Sequence, residues 1–281
     1  MHQPSGVHLA TVHLSTDVTL HYAERGDRAG EAILFLHAYV DSWYSYSRVL
    51  PLLSSSYHAF ALDQRGHGDS DKPQCCYTVD DFTADVHAFM DAVGIEEATI
   101  VGDSSGGMIA QRMALDYPQR VSRLVLIGSP TTLVNNEAIM EAGEQMLAAL
   151  EAPISPEFVR QFQESWIYHP VPQEFLQEVL SQTLKVPARV WHDYWEGVLL
   201  TVDDRTRLGE IAAPTLILWG ERDAALPREE QERRAAAIPD AMLKVYPDTG
   251  HAVAWERPEW VVRDLEAFME NPRSPGVTNR R

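Results

Sequence analysis

Ser104 stands between two glycines in the stretch Ile100-Val101-Gly102-Asp103-Ser104-Ser105-Gly106-Gly107. The apolar run Ala98 to Val101 predicts a strand before it. Met108 to Leu115, with apolar residues recurring at three and four, predicts a helix after it. A strand, a tight turn and a helix around G-x-S-x-G make a nucleophile elbow. The turn holds its serine in a strained backbone conformation, so the positions two before and two after must be nearly free of side chain. This condition chooses between the adjacent serines. Around Ser104 those positions are Gly102 and Gly106, whereas around Ser105 one of them is the bulkier Asp103. Ser104 is the expected nucleophile.

A serine hydroxyl attacks a carbonyl only when a base removes its proton, and the base needs a third group to fix its tautomer. In a parallel sheet the loops after the strands meet at the carboxyl edge, where these partners belong. The apolar run Thr215 to Trp219 is followed by Gly220-Glu221-Arg222-Asp223, which supplies a carboxylate. The run Met242 to Tyr246 is followed by Pro247-Asp248-Thr249-Gly250-His251, which supplies an imidazole. The order Ser104, Asp223, His251 is the one expected with this elbow. Glu221 and Asp248 are rival acids, Asp248 the weaker. No carboxylate follows the strand that ends at Ile127.

The tetrahedral intermediate needs donors for its oxyanion. One expected donor is the N–H of Ser105, at the start of the helix. The other belongs to the loop after Ala32 to Leu36, where His37-Ala38-Tyr39-Val40 lies, and is assigned to the N–H of Tyr39. His37 and His67 read as structural.

These residues need a frame. Val7 to His13 and Val18 to Ala23 alternate apolar and polar residues around Ser15-Thr16-Asp17 and predict an antiparallel hairpin. Ala32 to Leu36, His58 to Leu62, Ala98 to Val101 and Val121 to Ile127 predict strands, with helices at about Tyr46 to Leu53 and Val79 to Val93. Thr78 is the expected cap of the latter, with Asp80 and Asp81 in its first turn. Strands alternating with helices imply an α/β fold, a mostly parallel central sheet with helices on both faces. The alternation breaks after Pro130. From 131 to 212 the chain reads as an inserted helical cap, with helices at about Glu137 to Leu150, Pro156 to Ile167, Gln173 to Leu184 and Ala188 to Leu200. The rhythm resumes with strands at Thr215 to Trp219 and Met242 to Tyr246 and helices at Arg228 to Ala237 and Trp260 to Met269. The expected division is a core from 1–130 and 213–270, the cap between, and a disordered polar tail over 271–281.

A formal charge of −18, with lysine only at 72, 185 and 244, argues against a nucleic-acid partner. No stretch approaches the ~20 apolar residues of a membrane span. Met1 to Ser15 holds no continuous apolar segment, so no signal peptide is expected and a cytoplasmic location is the default. Cys75 and Cys76 are adjacent, a poor geometry for an ordinary disulfide. No clustered ligands suggest a metal, and no glycine-rich phosphate loop suggests a nucleotide, so no cofactor is expected. In the cap, Trp166, Tyr168, His169, Trp191, His192, Tyr194 and Trp195 cluster. Trp166, Trp191, Trp195 and, beyond His251, Trp255 are the candidates to line an apolar pocket.

The chain resembles the α/β-hydrolase superfamily, in particular its capped serine-hydrolase members related to carboxylesterases and lactonases. The resemblance runs from about Val7 to Met269. It is carried by the elbow, by Asp63-Gln64-Arg65-Gly66-His67-Gly68-Asp69-Ser70, by Gly220 to Asp223, and by Gly250-His251 with Trp255-Glu256-Arg257-Pro258. The chain departs from the family's H-G-x-P at His37-Ala38-Tyr39-Val40, and from its usual histidine before the nucleophile at Asp103. An inward-pointing Asp103 would raise the pKa of His251. The aspartate nucleophile of related dehalogenases and epoxide hydrolases is replaced by Ser104, which excludes both chemistries. The resemblance implies a cofactor-free serine hydrolase, a monomer or homodimer, acting on a small, fairly apolar carboxylic ester or lactone. Two alternatives stand beside it. One is carbon–carbon bond hydrolysis of a dienoic diketone acid, with Arg160 or Arg189 holding its carboxylate. The other is a ligand-sensing receptor that retains the triad.

Overall fold

The computed structural model describes residues 4–134 and 136–271. Of the tail expected to be disordered, all but Asn271 lies outside the described residues. Eight strands form one sheet: β1 (His8–His13), β2 (Thr19–Gly26), β3 (Ala32–Leu36), β4 (His58–Leu62), β5 (Ala98–Asp103), β6 (Val121–Ile127), β7 (Thr215–Gly220) and β8 (Ala241–Tyr246). Their order across the sheet is β1-β2-β4-β3-β5-β6-β7-β8. β2 runs antiparallel to β1 and β4, and every other pairing is parallel.

Strands β3 to β7 are buried on both faces because helices cover both sides of the sheet. Alternate residues therefore feed two cores. Leu34, Ile100 and Leu124 pack into one, and Ile33, Val101 and Val125 into the other. β5 lies in the middle, flanked by β3 and β6, so the elbow at its end sits at the centre of the carboxyl edge.

α1 (Val79–Val93) starts as a reciprocal cap, Thr78 Oγ1 accepting from the Asp81 amide at 3.3 Å and Asp81 Oδ2 from the Thr78 amide at 2.9 Å. The helix expected from Tyr46 to Leu53 is instead two short 3₁₀ turns, Trp43–Tyr46 and Leu50–Leu52. Pro51 accounts for the difference: it lacks an N–H and disfavours helical geometry in the residue before it. α2 (Ser105–Asp116) follows the elbow directly. Cys75 and Cys76 are joined as a disulfide between chain neighbours, with Cys76 at φ 73°, where the sequence suggested poor geometry.

Four helices fall between β6 and β7: α3 (Glu137–Ala148), α4 (Pro156–Glu164), α5 (Gln173–Thr183) and α6 (Ala188–Tyr194). The single helix expected over Ala188 to Leu200 ends early and opens into a π turn, Trp195–Leu199. Inside that turn Gly197 passes the Tyr77 backbone so closely that a Cβ would lie 2.9 Å from the Tyr77 carbonyl carbon. α7 (Arg228–Ala237), α8 (Val253–Glu256) and α9 (Pro258–Glu270) complete the chain. No described helix is long and apolar enough to cross a membrane.

The inserted helices lie over the carboxyl edge of the sheet. The Gln163 side chain of α4 donates to Asp41 in the loop after β3 at 2.8 Å. The Tyr39 hydroxyl donates to the Trp191 carbonyl at 2.6 Å, and the Ala252 amide to the Trp166 carbonyl at 3.2 Å.

Candidate active site

Ser104 sits at φ 47° and ψ −119°, between the end of β5 and the first turn of α2. A left-handed φ costs a non-glycine residue of order 1–3 kcal/mol, so the surroundings must enforce it. They do: the Ser104 amide donates to the Ile127 carbonyl at 2.8 Å, and its carbonyl accepts from the Gly107 amide at 2.9 Å and Ser129 Oγ at 2.8 Å. A side chain at Gly102 would collide with Gly106 and Gly107, and one at Gly106 with the carbonyls of Leu36 and His37. The spacing of glycines read from the sequence is thus a steric requirement of this turn.

His251 Nε2 lies 3.0 Å from Ser104 Oγ, and His251 Nδ1 lies 2.8 Å from Asp223 Oδ2. Asp223 Oδ1 accepts the amides of Ala225 at 2.8 Å and Leu226 at 3.0 Å, so the carboxylate is fixed from both sides. The loops carrying the acid and the imidazole are stitched together by the Arg222 amide, which donates to the Thr249 carbonyl at 2.8 Å. The rival acids are elsewhere. Glu221 and Asp248 are exposed and face Arg222.

Ser104 and His251 open onto a cavity of about 790 Å³ whose lining comes from strand ends and inserted helices together, while the Asp223 side chain is buried behind His251. Trp166, Trp195 and Trp255 line it, Trp166 with its ring 5.2 Å from that of His251. Trp191 does not. It is wholly buried, packed edge-on against Phe162 at 5.0 Å and Tyr39 at 5.5 Å, and serves the packing of the inserted helices. Tyr39 turns its ring into the same aromatic cluster and is followed by Val40 at φ 57°. The amides of Tyr39 and Ser105 donate to no backbone carbonyl in the turns and loops of the described residues. Ser105 Oγ accepts from the Tyr194 hydroxyl at 2.9 Å.

The electrostatics of the cavity are anionic. Burial opposes a charged His251, but the charge and hydrogen bond of Asp223, with Asp103 and Asp41 behind it, outweigh burial and hold its pKa above 6.5. Asp103 lines the cavity, and burial pushes its carboxyl up to about 7. Burial likewise pushes Asp41 up to about 8. His37 and His67 are buried away from the cavity with rings 4.9 Å apart. Burial lowers the pKa of both, His67 to about 4. The grouping of His21, Asp63 and Asp69 brings potential metal ligands together outside the cavity, but the Asp63 carboxylate already accepts from His21 and from the amides of Trp43 and Asp69.

Three residues of the site were not singled out from the sequence. Glu256 is buried and accepts the amides of Gly250, Tyr168 and His169, at 2.9, 3.0 and 3.0 Å. Its signal lay in the Trp255-Glu256-Arg257-Pro258 stretch. Asp41 and Gln163 carry no signal, since they meet only when α4 folds back over the loop after β3.

Residues 31–258 match the family described as alpha/beta hydrolase fold. The chain is 32% identical to a 2-hydroxy-6-oxo-6-phenylhexa-2,4-dienoate hydrolase of Burkholderia cepacia, over 86% of this chain and 88% of that protein. It is 30% identical to a 2-hydroxy-6-oxononadienedioate/2-hydroxy-6-oxononatrienedioate hydrolase of Pseudomonas putida, over 91% and 93%. Among solved structures it is similar to an enol-lactonase from Burkholderia xenovorans, with a TM-score of 0.81 and 20% identity over 93% of this chain and 100% of that one. At that identity the likeness carries the fold alone.

Proposed function

This chain belongs to the alpha/beta hydrolase fold family, and from that premise we propose a cofactor-free serine hydrolase of small carboxylic esters or lactones. The observation that carries the reading is the unbroken hydrogen-bond chain Asp223–His251–Ser104, which opens to the cavity at Ser104 and His251. In this reading His251 Nε2 takes the Ser104 proton as Oγ bonds to the substrate carbonyl carbon. The amides of Tyr39 and Ser105 hold the oxyanion, and Asp223 orients the imidazolium. The tetrahedral intermediate collapses with cleavage of the carbon–oxygen bond, and His251 passes its proton to the leaving oxygen. Water, deprotonated by His251, then attacks the acyl carbon, and the proton returns to Ser104 as the acid leaves. Trp166, Trp195 and Trp255 supply an apolar wall for the substrate.

A second reading, carbon–carbon bond hydrolysis of a dienoic diketone acid, is favoured by the names of the relatives at 30–32% identity. Against it stands the cavity itself, which places carboxylates where an anionic substrate needs a cation.

The test is turnover of p-nitrophenyl esters of graded chain length with a fluorophosphonate label. Ser104→Ala should lose about 10⁴- to 10⁶-fold in kcat while remaining folded. Labelling at Ser105 instead, or full activity in Ser104→Ala, would overturn the reading.

A further inference from the structure

Two acids line the cavity beside Ser104 without a lysine or arginine partner, the charge of His251 being the cation that acts on them. Asp41 and Asp103 are each 5% exposed, and both line the cavity. Asp41 Oδ1 accepts from Gln163 Nε2 at 2.8 Å and Oδ2 from Ser45 Oγ at 3.1 Å. The Asp103 carboxyl accepts no hydrogen bond among the described residues. A carboxylate buried in this way is costly, and it is relieved either by a proton or by a cation with a donor. The protein supplies neither a lysine nor an arginine. Arg222 is the basic side chain of the lining besides His251, and it sits half-exposed at the rim, 3.5 Å from Asp248 and over the Tyr168 ring.

The remaining walls suit the same ligand. Phe162, Trp166 and Trp195 line the cavity, and aromatic ring faces attract an ammonium group. Burial holds Asp103 at about 7 and Asp41 at about 8, so both carboxyls are poised to give up a proton when a positive charge arrives.

Resting on the serine-hydrolase reading, we propose that the site selects esters bearing a protonated amine, with the ammonium seated on Asp103, Asp41 behind it and the aromatic rings around it. The amine does not react. It anchors the substrate so that the ester carbonyl lies at Ser104.

The experiment uses two isosteric pairs at pH 7. One pair is 2-(dimethylamino)ethyl butanoate against 3-methylbutyl butanoate, and the other is butyl 4-(dimethylamino)butanoate against butyl 5-methylhexanoate. In each, an N⁺–H replaces a C–H and little else changes. The expected result is a kcat/KM advantage of about tenfold or more, ~1.4 kcal/mol, for the cationic member of at least one pair. That ratio should collapse in Asp103→Asn and shrink in Asp41→Asn, which cancels any difference in intrinsic reactivity. Neutral members turned over as well as cationic ones in both pairs would overturn the proposal, as would a preference that Asp103→Asn leaves unmoved. In either case the hydrolase reading stands. No turnover of any of the four, with Ser104 unlabelled by fluorophosphonate, would sink both.

Discussion

The Glu256 carboxylate accepts the amide of Gly250, one residue before His251, at 2.9 Å, and the same carboxylate holds the amides of Tyr168 and His169 from the loop between α4 and α5. One buried acid therefore fixes both the approach to the imidazole and a wall of the cavity. Gly250 is bare because a Cβ there would lie 2.8 Å from the Tyr168 amide nitrogen.

Glu256→Gln should break this arrangement, because in either orientation the amide NH₂ of glutamine meets a backbone donor, the Tyr168 amide at the Oε1 position or the Gly250 and His169 amides at Oε2. The expected cost is about 1–3 kcal/mol of stability, the price of leaving buried donors unpaired. Since the strain falls next to His251, kcat should drop by about tenfold or more, ~1.4 kcal/mol in the barrier. Urea unfolding and steady-state kinetics measure the two effects. A stability loss with unchanged kcat would make Glu256 a structural brace only.

The base must be neutral to accept the Ser104 proton, so kcat/KM should rise with pH through the pKa of His251. Asp223, Asp103 and Asp41 raise that pKa against burial, which places the inflection above 6.5. Asp103, pushed to about 7, ionises in the same window and further favours the imidazolium as it does so. The rise should therefore be broad. In Asp103→Asn it should become steeper and move to lower pH, and a profile that does not move would mean that Asp103 is uncoupled from His251.

The strands of the sheet are legible in the sequence because those covered on both faces read as short apolar runs, as Ala32 to Leu36 and Val121 to Ile127 do, whereas their order across the sheet is set by long-range pairing. The elbow is legible because its turn admits glycine alone at 102 and 106, a constraint written in residue type. What is not legible depends on contacts between distant segments. Trp191 carries the same indole as Trp195, yet the π turn aims only the latter at the cavity. The Asp41–Gln163 contact spans 122 positions of chain and leaves no periodic trace. Pro51 was a visible warning against a helix at Tyr46 to Leu53.

Asp41 should lower the stability of the folded chain at neutral pH. Its folded pKa, raised by burial to about 8, lies above the ordinary value of 3.8. The unfolded chain gives up this proton first, so the contribution is intact below about pH 4 and is lost as pH rises toward 8. Asp41→Asn keeps an oxygen to accept from Gln163 and carries no charge. Its melting temperature should exceed that of the native chain at pH 8, with the gap closing at pH 4. Equal melting temperatures at both values would show that the burial of Asp41 is relieved by solvent.

Neutral esters and lactones should turn over far faster than dienoic diketone acids. A diketone acid brings a carboxylate into a water-poor cavity, where it needs a cation held in the wall. The two arginines that the sequence offered for that task are committed elsewhere. Arg189 donates to the carbonyls of Lys72 at 2.5 Å and Pro73 at 2.6 Å, stacks on Tyr77 and does not line the cavity. Arg160 is exposed and pairs with Glu164 at 3.2 Å. Arg222 reaches the rim, already matched to Asp248, while Asp41 and Asp103 stand within. Arg189→Ala should therefore change kcat/KM for a neutral ester by less than about tenfold, under ~1.4 kcal/mol, and should do so through packing against Tyr77. Measured side by side, p-nitrophenyl butanoate and a 6-phenyl dienoic diketone acid decide the matter. Efficient cleavage of the diketone acid, abolished in Arg189→Ala or Arg222→Ala, would reverse the assignment in favour of carbon–carbon bond hydrolysis.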